Sequence, residues 1–312
     1  MRIIDLHCDT LTECHKRDLD LVNDETQLAL DRLTASGGWC QAMAIFMPDH
    51  LRGQAAVDYF DEVLAFYRVQ LRKYGDRLRC VSNVAGMDAA ACAGIPAVFL
   101  TVEGGSVLAG DLGRIAYLAQ CGVGMLTLTW NGANELGGGQ AEDVGLTQLG
   151  CRAVPLLEQN NIIVDVSHLG DRGFWELMEL TSKPFAASHS NARAVCNHPR
   201  NLTDAQFQAI VSRGGLVGVN FCTHFISEDG GDLSLERLMA HIRHFVSLGG
   251  ENHIALGSDY DGTDMPEYLD RSEKLEKTMK AMVKLGLDAT LAEKICCRNA
   301  REFFLRYEAA CR

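Results

Sequence analysis

No Cys-x-x-Cys pair occurs among the twelve cysteines, and only Cys296 and Cys297 are adjacent. A ribbon-type structural zinc site is therefore not expected. Scattered cysteines without a secretion signal point to free thiols in a reducing compartment. No window reaches the run of about 18 apolar residues that a membrane-spanning helix needs. The opening MRIIDLHCDT is interrupted by Asp5 and His7 before a signal-peptide core forms, and lipid-anchor motifs are missing. Basic charge is also short: the net charge is −12 over 312 residues, and no Lys/Arg stripe of a nucleic-acid binder is visible. The expectation is a cytoplasmic protein with neither membrane nor nucleic acid as partner. Low-complexity segments and linkers are absent too, which predicts one domain spanning residues 1–312.

What is present is a recurring unit, a short apolar run followed by a helical pattern. The runs are Arg2 to Leu6, Trp39 to Met47, Ala97 to Val102, Val123 to Thr129, Ile162 to Val166, Pro184 to Ala187, Leu216 to Asn220 and Ile254 to Gly257. Nearly continuous apolar character suits strands covered on both faces. Amphipathic stretches lie between them, at Gln54 to Tyr74, Gly110 to Gln120, Thr147 to Asn160, Asp171 to Leu180, Asp204 to Arg213 and Ser234 to Leu248. Thr203 or Asp204, and Ser234, read as N-caps. Alternating strands and helices predict a parallel sheet, and eight repeats predict closure into a (β/α)8 TIM-type barrel. Extra C-terminal helices, including Asp288 to Tyr307, are expected on the outside.

Active sites of such barrels form at the C-terminal strand ends. Here those ends read His7-Cys8-Asp9, Glu103-Gly104-Gly105, Ser167-His168, Ser188-His189 and Ser258-Asp259. Five strands thus deliver His, Asp or Glu to one rim. In His-x-Asp the period-two alternation of an extended chain puts both side chains on one side, where they can grip one cation. Imidazole and carboxylate are standard zinc ligands. Glu103 can bridge two ions through its two oxygens, with His168 and His189 holding the second. Such ions sit roughly 3.5–4 Å apart and share a hydroxide nucleophile. Asp259 beside it can carry a proton to the leaving amine.

The segments IIDLHCDTL, VEGG, LTLTWN, VDVSHLG, ASHSNARAVCNHPRNL and LGSDYDG resemble the renal, or membrane, dipeptidase family of metallopeptidases, in order from Arg2 to Gly262. The resemblance implies that His7, Asp9 and Glu103 bind one Zn2+, and that Glu103, His168 and His189 bind a second. It implies Asp259 as proton shuttle and Arg200 as receptor for the free carboxylate of a dipeptide, a role that suits a guanidinium fork. It also implies dipeptide substrates of L,L and L,D configuration and an assembly that is often a homodimer. The chain departs from the animal enzymes at Trp130, which stands where they carry a histidine thought to contact the scissile carbonyl. Trp130 is then read as a pocket wall, and Asn131 or Asn134 as a substitute donor. Mn2+ or Co2+ fit the same ligands as zinc.

Blander readings cover other residues. Cys8 should point away from the ligands into packing. His241 and His244, three apart on a helix, read as a solvated face. His15, His50, His198, His224 and His253 read as loop or helix residues, and Asp5, Asp143 and Asp165 have no assigned ligand role. The glycines after Glu103 are read as keeping the backbone close to a ligand. Alternative functions for the same site are deacylation of N-acyl amino acids, opening of a lactone, or metal binding with weak catalysis.

Overall fold

The apolar runs become parallel strands in the computed structural model, which describes residues 1–34, 38–228 and 230–311. The strands are β1 (Ile3–Asp5), β2 (Trp39–Phe46), β3 (Arg79–Cys80), β4 (Ala97–Glu103), β5 (Met125–Thr127), β6 (Ile163–Asp165), β7 (Ala186–Ala187), β8 (Leu216–Val219) and β9 (Ile254–Leu256). Their order runs β2-β1-β9-β8-β7-β6-β5-β4, and a β2–β4 pairing closes the ring. This is the expected eight-stranded (β/α)8 barrel. One strand was not foreseen: β3 pairs only with the first residues of β4. Two exposed residues are too short for any periodicity to mark. The edge of β4 that accepts Val81 N–H at Val98 accepts Gly124 N–H at Leu100, so β5 takes over where β3 ends.

Alternation along β4 explains how a core strand delivers a carboxylate. Val98, Leu100 and Val102 join the packing between barrel and helices. Ala97 and Phe99 join a second cluster inside the barrel, and Glu103 falls in the same period at the far end. That inner cluster includes Ile4, Met125, Ile163, Leu216 and Ala255, and it packs against Phe303, Phe304 and Tyr307. The final helix, Asn299–Ala310, therefore stoppers one mouth of the barrel. Each phenylalanine so buried contributes about 1.5–3 kcal/mol. The helix Gly53–Lys73 buries Ala56, Phe60, Val63, Leu64 and Tyr67, a stripe at helical spacing. Thr203 caps its helix through a capping box with Gln206, and Ser234 accepts from Arg237 N–H. All twelve cysteines are free, and no helix among the described residues is long and apolar enough to cross a membrane.

Candidate metal centre and substrate cavity

The rim residues converge. His7 Nε2 lies 3.5 Å from Asp9 Oδ2, 3.6 Å from Glu103 Oε2 and 3.7 Å from Asp259 Oδ1. The other Glu103 oxygen, Oε1, lies 2.8 Å from His168 Nε2 and 3.5 Å from His189 Nε2. One carboxylate thus faces two donor sets, one oxygen to each. His7, Glu103 and His189, and likewise His7, Asp9 and Asp259, bring ligand atoms within 4.8 Å of one another. Asp9 has left the extended conformation (φ −102°, ψ 8°) to precede the helix Thr10–Lys16, yet it still meets His7. Cys8 is fully buried in the packing, as expected.

The hydrogen-bond network assigns the imidazole protons. His168 Nδ1 faces Asn131 Oδ1 at 3.0 Å, an oxygen that also accepts from Gln140. His189 Nδ1 faces Ser188 Oγ at 2.7 Å, and Ser188 donates onward to Asp165 Oδ2 at 2.6 Å. Both Nδ1 atoms are therefore donors, and both Nε2 atoms carry lone pairs. Those two Nε2 atoms stand 2.9 Å apart, with Glu103 Oε1 beside them. The two imidazole lone pairs thus face each other with no ring proton between them, an arrangement that a cation held by both Nε2 atoms and Glu103 Oε1 would relieve. Burial, with Arg200 and His7 nearby, holds both histidines well below their ordinary pKa, so they stay neutral. On the other side, His7 Nε2 and Asp9 Oδ1 are buried without hydrogen-bond partners. The residues fit divalent cations.

Deeper carboxylates hold this arrangement. Asp165 accepts from Ser167 N–H, Ser188 N–H and the Thr127 hydroxyl. Asp5 accepts from Ser258 N–H at 2.9 Å. The sequence reading gave neither this supporting role, although each ends a strand shortly before a histidine of the cluster. Asp143 accepts from Arg172 N–H at the start of the helix Asp171–Leu180. His168 and Asp259 adopt left-handed backbone (φ 69° and 67°), a strain of roughly 1–3 kcal/mol each for non-glycine residues, typical of functional positions. Gly262 lies against two of the clustered carboxylates. A Cβ there would lie 2.2 Å from Asp9 Oδ2 and 2.5 Å from Asp259 Oδ1. The glycines after Glu103 are required by protein packing. A Cβ on Gly104 would strike Met47 at 2.9 Å, and one on Gly105 would strike Leu128 O and Leu136 at 2.5 Å.

Electrostatics divides the clustered residues. Burial opposes a charge on His7, but Glu103, Asp9 and Asp259 raise its pKa to about 10. Burial and Asp9 push Glu103 well up. Asp259 is raised to about 6, chiefly by burial, while His7 and a 3.0 Å bond from Asn220 Nδ2 pull it down.

A cavity of about 740 Å³ opens over the cluster, and Asp9, Glu103, His168, Asp259, Trp130 and Asn131 line it. Trp130 is a wall residue, set edge-on against Phe46 at 5.0 Å. Asn131 spends its carboxamide oxygen on His168. Asn134 is engaged in its own turn, donating to Leu128 O and accepting from Leu136 N–H, so it is no spare donor. Arg200 is 4% exposed, bonded through Nη2 to His189 O at 3.3 Å, stacked under Phe225, and unpartnered at Nε. His241 contradicts its expected place on a solvated face. It is fully buried, accepting from Ala192 N–H and facing Ile226 O. His244 pairs with Asp204 at 2.7 Å.

Comparison with known proteins agrees with the geometry. The profile of the membrane dipeptidase family (peptidase family M19) matches residues 1–309. An uncharacterised Klebsiella pneumoniae protein from the pqqA 5′ region is 31% identical over 254 residues, 78% of this chain and 94% of that protein. A Rhodobacter sphaeroides metallopeptidase, solved with a phosphinate mimic of the dipeptide L-Ala-D-Ala, superposes with a TM-score of 0.92 at 26% identity, covering 98% of this chain and 99% of that one. A second solved structure, dipeptidase AC of family M19, gives 0.93 at 27% identity, with 98% of each chain covered. The chain belongs to the membrane dipeptidase family, peptidase family M19, and is a metallo-dipeptidase of that family.

Proposed function

We propose that the protein hydrolyses dipeptides, L-Xaa-L-Xaa and L-Xaa-D-Xaa, at a site built for two zinc ions, with Mn2+ or Co2+ as substitutes. The observation that carries this reading is Glu103, whose Oε2 faces His7 while Oε1 faces His168 and His189. His7, Asp9 and Glu103 would hold one ion; Glu103, His168 and His189 would hold the other. A cation pair in that position supplies Lewis acidity and lowers the pKa of water toward ~7. Asp259, fixed by Asn220, accepts the proton of the attacking water and passes it to the amine as the C–N bond breaks. Arg200, buried and unpartnered at Nε, takes the free carboxylate of the substrate through charge-assisted bonds. Trp130 and Asn131 line the cavity beside the scissile bond.

A second reading shares every ligand: removal of an acyl group from an amino acid, or opening of a lactone. The apolar part of the cavity, which includes Phe46, Leu51 and Trp130, would accept an acyl chain. Asp9, Glu13 and Asp261 line the same cavity and favour a substrate with a protonated amine. A metal-binding protein with weak catalysis is a third reading, disfavoured by the presence of Asp259 among the ligands.

Metal analysis of purified protein tests the site, with two ions expected per chain and a sharp fall in Glu103→Ala. Assay of L,L and L,D dipeptides with added zinc tests the activity. Absence of turnover on every dipeptide, with metal bound, removes the reading. Preference for an N-acyl amino acid over the matching free-amine dipeptide transfers it to the deacylase.

A further inference from the structure

We infer that the enzyme selects dipeptides whose N-terminal residue carries a large apolar side chain. This rests on the dipeptidase reading and names the substrate class within it. The cavity of about 740 Å³ is not polar throughout. Its lining includes Phe46 and Pro48 at the end of β2, Leu51 just beyond, Tyr59 on the helix Gly53–Lys73, and Trp130 after β5, with Thr12, His15, Lys16 and His50 as polar neighbours. The first five are partly exposed. Phe46 and Trp130 lock edge to face at 5.0 Å, and the Trp130 ring lies 6.2 Å from that of His168. The apolar residues therefore begin beside His168, with Asn131 the polar neighbour at that point.

Barrel topology decides which end of the substrate meets these apolar residues. Arg200 follows β7, whereas Phe46, Pro48 and Leu51 follow β2. In the ring β1-β2-β4-β5-β6-β7-β8-β9, β2 and β7 lie four strands apart in either direction. They are diametrically opposed, with the cluster around Glu103 between them. A dipeptide with its carboxylate on Arg200 and its amide carbonyl over the cluster directs its other residue, the N-terminal one, to the β2 side. The volume lies within the ~300–1,000 Å³ range of sites that enclose much larger molecules than Ala-Ala. A methyl side chain there would leave the apolar residues wet; an aromatic or leucine side chain would displace that water.

The test is a comparison of kcat/KM on the metal-loaded enzyme for Phe-Ala, Leu-Ala, Ala-Ala, Asp-Ala and Ala-Phe. Phe-Ala and Leu-Ala should exceed Ala-Ala by about 10- to 100-fold, the span of hydrophobic-pocket discrimination. Ala-Phe should show no such gain. In Leu51→Ser and in Trp130→Ala, two partly exposed positions, the Phe-Ala to Ala-Ala ratio should fall toward one. A flat panel in the wild type, or Asp-Ala or Ala-Phe as the best substrate, overturns the selectivity while leaving the dipeptidase standing. A panel with no turnover at all removes both. Adding 3-phenylpropanoyl-alanine, which is Phe-Ala without its amine, separates the acyl alternative: faster cleavage of it than of Phe-Ala overturns the inference about dipeptides.

Discussion

His168 and His189 aim their Nε2 atoms at each other across 2.9 Å, each ring with its proton committed to the opposite nitrogen by Asn131 or Ser188. Both are neutral at any physiological pH because burial and nearby positive groups depress them. The two imidazoles of that half are ready for a cation. The His7 half is not, since carboxylates raise His7 to about 10 against the effect of burial.

Metal loading should therefore release protons. Below pH 10 the chelated protein carries a proton on His7 that a cation must displace. Titrating zinc into chelated protein near neutral pH should liberate about one proton per chain from this residue. The apparent affinity of the His7 side should climb with pH up to about 10 and flatten beyond it. Calorimetry in two buffers of different ionisation enthalpy measures the release. His7→Asn should abolish that share, and an unchanged release in this variant contradicts the assignment.

Asp259→Asn keeps shape but loses the proton acceptor. The expected result is a fall in kcat of about 10²–10⁴-fold, with metal content retained. Asp259 is raised to about 6, chiefly by burial, and bound cations pull a carboxylate's pKa down. The acid limb of the kcat/KM profile should accordingly lie below pH 6. Asn220→Ala removes a donor to the charged form, so the limb should move upward. A limb that stays fixed in Asn220→Ala, or full activity in Asp259→Asn, excludes Asp259 as the shuttle.

The legible parts of the fold were those carried by local periodicity. Glu103 could be read because Ala97, Phe99, Thr101 and Glu103 share one face of β4, and its polar end stands out against an apolar run. Asp5 and Asp165 could not, because their partners, backbone N–H groups and for Asp165 also the Thr127 and Ser188 hydroxyls, lie on neighbouring strand ends, which only barrel closure supplies. His241 was misread although a signal existed. It lies on the stripe Leu238, Ile242 and Phe245 of the helix Leu235–Ser247, and helical spacing makes that face the buried one. The pairing of His241 with His244 drew the reading to the wrong side. Gly262 meets Asp9 and Asp259 only because β1 and β9 are neighbours.

Arg200 is examined best by changing both partners. Arg200→Met should lower kcat/KM for a dipeptide with a free carboxylate by roughly 10- to 100-fold, the worth of a hydrogen bond to a charged group. For the same dipeptide amidated at its C-terminus the wild type should already be slow, and Arg200→Met should add little. Equal losses on both substrates would mean that Arg200 merely supports the loop through its bond to His189 O.

His241 ties two rim segments together: its Nδ1 accepts from Ala192 N–H and its Nε2–H donates to Ile226 O, each at 3.1 Å. Ala192 belongs to the loop that carries Arg200, and Ile226 follows Phe225 in the helix Thr223–Ile226. Burial, the largest influence, lowers His241 from 6.5 to about 4. Between those values the unfolded chain binds a proton that the native protein excludes. The His241 contribution to stability is therefore complete above pH 6.5 and declines as pH falls toward 4, by up to roughly 1.4 kcal/mol per pH unit. His241→Leu should remove this share of the acid sensitivity. It should also cost about 1–3 kcal/mol at neutral pH, because Ala192 N–H is left buried without an acceptor. Urea melts of both proteins at about pH 5 and about pH 7 measure the two effects; a variant that loses as much stability as the wild type on acidification would show that His241 is not the group that titrates.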